Sequence, residues 1–155
     1  MNGKLYVVAG RRSSVNLGNA IGDTEASVDV YNFDTGQWTT LENDIPTPRA
    51  GVALIKHGPE LVVAAGESPA GDHTEVEALD VRTGSWRELP SLISGRNAPG
   101  GAGFGDELFI VTGRDGNTEL ASQEVMGLVP RVAPADTDND GLIDDQDAFP
   151  DNSGE

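Results

Sequence analysis

Apolar residues along this chain fall into short runs that stop at glycine, at residues 5–10 (LYVVAG), 61–66 (LVVAAG) and 108–113 (LFIVTG). The runs are too short for helices and are rich in Val, Leu and Ile. That pattern predicts strands buried on both faces rather than an amphipathic element. Between them the chain changes period. Residues 28–33 and 122–128 alternate as half-buried strands do, residues 37–41 carry a tryptophan in an edge-strand context, and residues 52–56 form a further strand after an arginine. No segment shows the 3.6-residue period of a helix.

These elements recur. Gly36-Gln37-Trp38-Thr39-Thr40-Leu41 is matched 48 positions later by Gly84-Ser85-Trp86-Arg87-Glu88-Leu89. Three apolar runs, the pair Val28-Asp29-Val30-Tyr31 and Ala78-Leu79-Asp80-Val81, and the pair Pro48-Arg49-Ala50-Gly51 and Gly95-Arg96 follow the same cycle. A repeat of this length with four antiparallel strands per unit is a propeller blade. In its glycine-terminated strand, its aromatic strand and its Gly-x-Trp, the chain resembles the kelch family over roughly residues 3–130. It departs from that family where the paired glycines read Ala9-Gly10, Ala65-Gly66 and Thr112-Gly113. The resemblance implies an all-β fold, a kelch-type β-propeller fragment of about two and a half blades over residues 1–130, with Trp38 and Trp86 packed between blades. The strand count starts at the second strand of one blade and stops after the third strand of another. Truncation of a longer propeller, or a protomer that completes its ring by self-association, is therefore expected.

Composition changes the picture at the C-terminus. Of a formal net charge of −16, half lies in residues 136–155, which hold seven Asp and one Glu and neither Lys nor Arg. So acidic a surface repels phosphate backbones and argues against nucleic-acid binding. No apolar run approaches the roughly 18–20 residues of a transmembrane helix, and the absence of cysteine removes disulfides and thiolate metal sites. After a proline-containing linker at 131–135 comes Asp136-Thr137-Asp138-Asn139-Asp140-Gly141-Leu142-Ile143-Asp144-Asp145-Gln146-Asp147. Carboxylates at positions 1, 3 and 5, glycine at 6, a backbone carbonyl at 7 and carboxylates at 9 and 12 are what a hard cation needs to gather an oxygen shell. The predicted Ca²⁺ ligands are Asp136, Asp138, Asp140, Leu142 through its carbonyl, Asp144 and Asp147. A merely solvated acidic run has no reason to place Gly141 and the apolar Ile143 in this order. Pro134 and Pro150 disfavour the flanking helices of an EF-hand. With Asp147-Ala148-Phe149-Pro150 the tail at 136–155 is instead similar to a thrombospondin type 3 repeat, although Ala148 and Phe149 stand where that family has Asn and Cys. The resemblance implies calcium ligation by the same Asp positions, with Phe149 packing and the ion in place of a disulfide. A lone loop of this kind binds at about 10⁻⁴–10⁻³ M, which suits an extracellular, cell-surface or periplasmic location.

Strand direction alternates within a blade, so one end of the sheets collects Arg11, Arg12 and Arg114 from one loop type and Arg49 and Arg96 from another. Guanidinium forks match carboxylates and sulfates, which makes this end a candidate site for acidic glycans or other carboxylate ligands. The repeated position of Arg49 and Arg96 equally fits a structural hydrogen bond. His57 and His73 sit in no evident Ser/His/Asp or metal-ligand pattern. Kelch-related copper oxidases need a Cys, which is lacking; kelch-type sugar epimerases use Arg, Glu and His on loops, and Glu67 begins one. The leading expectation is a non-catalytic interaction module of an exported, calcium-binding protein, with an anionic-glycan binder and a propeller-enzyme fragment as alternatives.

Overall fold

The computed structural model describes residues 3–12 and 23–128, and all its regular elements are β-strands. The first sheet contains β1 (Lys4–Val8), β2 (Val28–Asn32) and β3 (Gln37–Thr40). The second runs β4 (Ala53–His57), β5 (Glu60–Ala64), then a small hairpin of β6 (Glu67–Ser68) and β7 (Gly71–Asp72), then β8 (Val76–Asp80) and β9 (Ser85–Leu89). The third repeats the order with β10 (Gly100–Phe104), β11 (Glu107–Val111), the hairpin β12 (Arg114–Asp115) and β13 (Thr118–Glu119), and β14 (Gln123–Gly127). Neighbouring strands are antiparallel, in the orders β1-β2-β3, β4-β5-β8-β9 and β10-β11-β14. These are one four-stranded blade between two three-stranded ones, as expected for part of a kelch-type β-propeller. The two hairpins have no counterpart in the sequence reading, because strands of two residues leave no periodicity.

Register corrects one alignment. Tyr31 lies opposite Trp38 on β2 and β3, as Leu79 lies opposite Trp86 on β8 and β9. Val28 to Tyr31 therefore correspond to Val76 to Leu79, not to Ala78 to Val81. Asp29 and Glu77 then occupy the same position, as does Glu124, since Val63 faces Glu77 and Ile110 faces Glu124.

The core is two layers of side chains between adjacent sheets. Because strand side chains alternate, Leu61 and Val63 of β5 join Val8, Val28 and Ile45 of the first sheet, while Val62 and Ala64 join Leu108 and Ile110 of the third. All five residues of β5 are buried, which is the both-faces burial read from the apolar runs. Each fully buried valine contributes about 1.5–3 kcal/mol. β1 and β11 are buried on one face only, because among the described residues only the middle sheet has neighbours on both sides. The tryptophans divide for the same reason. Trp86 packs against the layer between first and middle sheets and donates its indole N–H to the Asn43 carbonyl at 3.2 Å. Trp38, expected between blades, is 56% exposed and rests on Tyr31 with ring centres 5.1 Å apart.

Candidate functional site

The end of the sheets that bears the predicted arginines is shaped by a repeated bend. Ala9, Ala65 and Thr112 hold left-handed φ values of 62°, 61° and 57°, and each is followed by a glycine at φ 119°, 117° and 100°. At Gly10 and Gly66 the bend turns the glycine N–H towards the next sheet. Gly10 donates to the Arg49 carbonyl at 3.0 Å and Gly66 to the Arg96 carbonyl at 2.8 Å. A Cβ at Gly66 would stand 2.7 Å from the Ala50 carbonyl oxygen and 2.8 Å from Val52 Cγ1, so no other residue fits that approach.

The bends bring Arg11, Arg12, Arg49, Arg96 and Arg114 to one end, but they do not make one surface. Arg49 and Arg96 point inward and are 0% and 1% exposed. Arg49 uses all five guanidinium protons. Nε donates to the Ala65 carbonyl at 2.7 Å, Nη1 to the Thr47 carbonyl at 2.7 Å and Glu77 Oε2 at 2.5 Å, and Nη2 to the Val63 and Glu75 carbonyls at 3.0 and 3.3 Å. Arg96 repeats the pattern 47 positions on, with Ser94, Thr112 and Ser122 carbonyls in place of Thr47, Ala65 and Glu75, and Glu124 Oε1 at 2.6 Å in place of Glu77. The desolvation cost of a buried guanidinium is offset only by such a full set of partners. The two side chains expected to grip an anion instead tie the inner strands of the second and third sheets to the third strands; Arg49 has no donor to spare for a ligand, and Arg96, with four hydrogen bonds, is buried. The spacing of 28 residues, shared by Arg49…Glu77 and Arg96…Glu124, is the signal of these pairs in the sequence.

The residues that follow the bends remain, of which Arg11 and Arg114 are exposed and Glu67 is half-buried. The residue after each bend is Arg11, Glu67 or Arg114, and Arg11 Nη1 pairs with Glu67 Oε1 of the adjacent sheet at 3.0 Å. Arg12 is paired with Glu25. Arg114 is exposed, and its side chain has no hydrogen bond or ion pair among the described residues. Asp72 accepts from Asn97 Nδ2 at 2.7 Å and from the Gly116 N–H at 2.5 Å, which locks the β6–β7 hairpin to the β12–β13 hairpin. At the opposite edge of the same interface, His57 Nε2 bonds the Gly105 carbonyl at 2.8 Å.

His73 corrects the expectation that no histidine lies in a Ser/His/acid pattern. Its Nε2 is 2.7 Å from Ser68 Oγ and its Nδ1 2.9 Å from Glu75 Oε2. Burial pushes the Glu75 carboxyl up, but its own backbone N–H, the His73 bond and charge, and the nearby Arg49 outweigh this and hold it below its ordinary value. The Ser68 hydroxyl also accepts the Ala70 N–H at 3.1 Å, and Ser68 is only 8% exposed. The trio braces the hairpin around Pro69 and Ala70; a nucleophile would need its oxygen open to substrate. No group of three His, Cys, Asp or Glu side chains converges as a metal site among the described residues. The predicted calcium ligands Asp136, Asp138, Asp140, Leu142, Asp144 and Asp147, the linker 131–135 and the tail 136–155 all lie outside the described residues.

The comparisons with known proteins agree with this architecture. Residues 1–43 match the Kelch motif. Over 89 residues the chain is 34% identical to the spermatocyte protein spe-26 of Caenorhabditis elegans, a match that covers 57% of this chain. The chain spans 15% of that relative's length. Sequence match and fold together support a kelch repeat in an all-β fold that is consistent with part of a kelch-type β-propeller.

Proposed function

We propose that this chain is a non-catalytic interaction module of an exported protein, with one calcium ion held by the loop at residues 136–147. The observation that supports an interaction role is how the charged side chains are used at the hairpin end. Arg49, Arg96 and the Ser68–His73–Glu75 trio are spent on holding the blades rigid, while Arg11 and Arg114 are exposed after their bends and the half-buried Glu67 pairs with Arg11. Exposed polar loops on a rigid frame suit partner recognition. The calcium reading is carried by the sequence order of Asp136, Asp138, Asp140, Gly141, Leu142, Asp144 and Asp147. Free of metal, these carboxylates repel one another, and a divalent ion converts the repulsion into order. An affinity of about 10⁻⁴–10⁻³ M would leave the loop empty in cytosol and filled outside cells, which is why export belongs to the proposal.

Calorimetric titration of the whole chain with calcium tests it, beside Asp140→Ala and with magnesium as competitor. Saturable binding of about one calcium, lost in the variant, is the expected result; no heat at millimolar calcium overturns the calcium half of the reading.

A second reading, an acidic glycan or carboxylate ligand at the hairpin end, is favoured by one observation, the exposed Arg114 whose side chain has no partner among the described residues. Its site now consists of Arg11, Arg12 and Arg114. The triple alanine variant should lose retention on a sulfated glycan matrix, and unchanged retention refutes it. A propeller-enzyme fragment is the weakest reading, because Glu67, its candidate acid, is tied to Arg11.

A further inference from the structure

The first and third sheets each carry an apolar face that nothing among the described residues covers. On the first, Leu5, Val7 and Trp38 are 47%, 46% and 56% exposed and lie with Tyr31. On the third, Phe104 and Val125 are 80% and 48% exposed, beside half-buried Phe109 and Val111. Patches of this kind on a soluble protein mark association surfaces.

Register shows what sort of face each is. Leu5, Val7, Tyr31 and Trp38 hold the positions of Leu61, Val63, Leu79 and Trp86, the side chains with which the middle sheet lies on the first. Phe109, Val111 and Val125 hold the positions of Val62, Ala64 and Ala78, with which the middle sheet receives the third. One open face is therefore of the type that lands on a preceding sheet, and the other of the type that receives a following one. They are the two halves of an interface that this chain already makes twice.

We propose that a second copy of this chain docks head to tail, the first sheet of one copy seated on the third sheet of the other. The contact is heterologous, and it closes only if the rotations from sheet to sheet add up to a full turn. Two copies supply six blade sheets, within the roughly 4–8 blades of closed propellers, so the two junctions can form reciprocally. Trp38 of each copy would then lose solvent, as Trp86 already has. The net charge of −16 per chain opposes association, so the complex tightens with salt as the charges are screened. This inference rests on the propeller reading alone, and the calcium titration is independent of it.

Sedimentation or light scattering of the full chain over a wide concentration range tests it. A two-chain mass and a blue shift of Trp38 emission at high concentration are expected. Leu5→Arg and Val125→Arg change only exposed positions, and retained strand content by circular dichroism shows that each still folds. Each variant alone should be a single chain. An equal mixture should regain a two-chain species, because one variant still offers an intact third sheet and the other an intact first sheet. Wild type that remains a single chain at millimolar concentration overturns the proposal and assigns these faces to other blades. A Val125→Arg variant that still dimerises also overturns it, since that would be pairing of first sheet with first sheet.

Discussion

Arg49→Met should destabilise the fold by about 3–5 kcal/mol, the range for removing one partner of a buried ion pair. The structure explains why the cost belongs at that level. Glu77 is 2% exposed and has two partners, the Arg49 Nη1 at 2.5 Å and the Thr47 hydroxyl at 2.8 Å. Without the guanidinium a carboxylate stays buried beside one neutral donor, and four carbonyl oxygens lose a charged donor as well. Glu77→Gln is less damaging, about 1–3 kcal/mol, because Arg49 keeps its four carbonyl acceptors and the amide oxygen can still accept a bond. The double variant carries the sharper prediction. Adding Glu77→Gln to Arg49→Met removes the uncompensated charge and should restore about 1–3 kcal/mol relative to Arg49→Met alone. Urea unfolding followed by Trp86 fluorescence measures this, provided the slope with denaturant is unchanged between variants. If the second substitution destabilises Arg49→Met further, or if Arg49→Met costs less than Glu77→Gln, the account of Arg49 as the saturated tie of the blade is wrong. A domain with about 5–15 kcal/mol of stability has little margin for such a loss, so the variants need measurement at low temperature.

Three further outcomes follow from the same end of the sheets. Gly66→Ala should fail to fold or lose more than about 2 kcal/mol, because its Cβ meets backbone at 2.7 Å with φ at 117°; a thermal melt unchanged from wild type would refute the bend as described. Thr112→Asn should stabilise by up to about 1 kcal/mol, since a β-branched residue at φ 57° is strained where asparagine is tolerated, and a melting temperature below wild type would show that no strain is stored there. Glu75, held below its ordinary carboxyl range in the folded state, contributes stability that is present above its unfolded pKa of about 4.3 and is lost as pH falls through its lower folded value. Its side chain is 44% exposed, so the effect stays under about 0.5 kcal/mol; Glu75→Gln should flatten that part of the acid stability profile, and an unaltered profile would remove His73 and Arg49 as its cause.

Much of this architecture was legible in local sequence. Short apolar runs ending at glycine can only be strands, because they are too short to nucleate helices and too β-branched to favour them, and β5 proved buried on both faces as its run of LVVA required. The 48-residue spacing of Gly36-Gln37-Trp38 and Gly84-Ser85-Trp86 established a repeat, because self-similarity at a fixed period marks one supersecondary unit used again. The hidden part was whatever depends on a neighbour. Trp38 and Trp86 share the same local motif, yet one is exposed and the other packed, since a side chain's environment is set by the sheet next to it. Arg49 and Arg96 read equally as surface anion ligands or as internal ties. Only the tertiary arrangement, which places four carbonyl oxygens and Glu77 around one guanidinium, decided that they point inward. Likewise Ser68, His73 and Glu75 are close in sequence but meet through a hairpin with strands of two residues, which no periodicity announces. Sequence fixes the period and the polarity of each strand because those depend on residues two to four apart. The direction of a long charged side chain depends on partners tens of residues away, and those partners exist only once the sheets have packed.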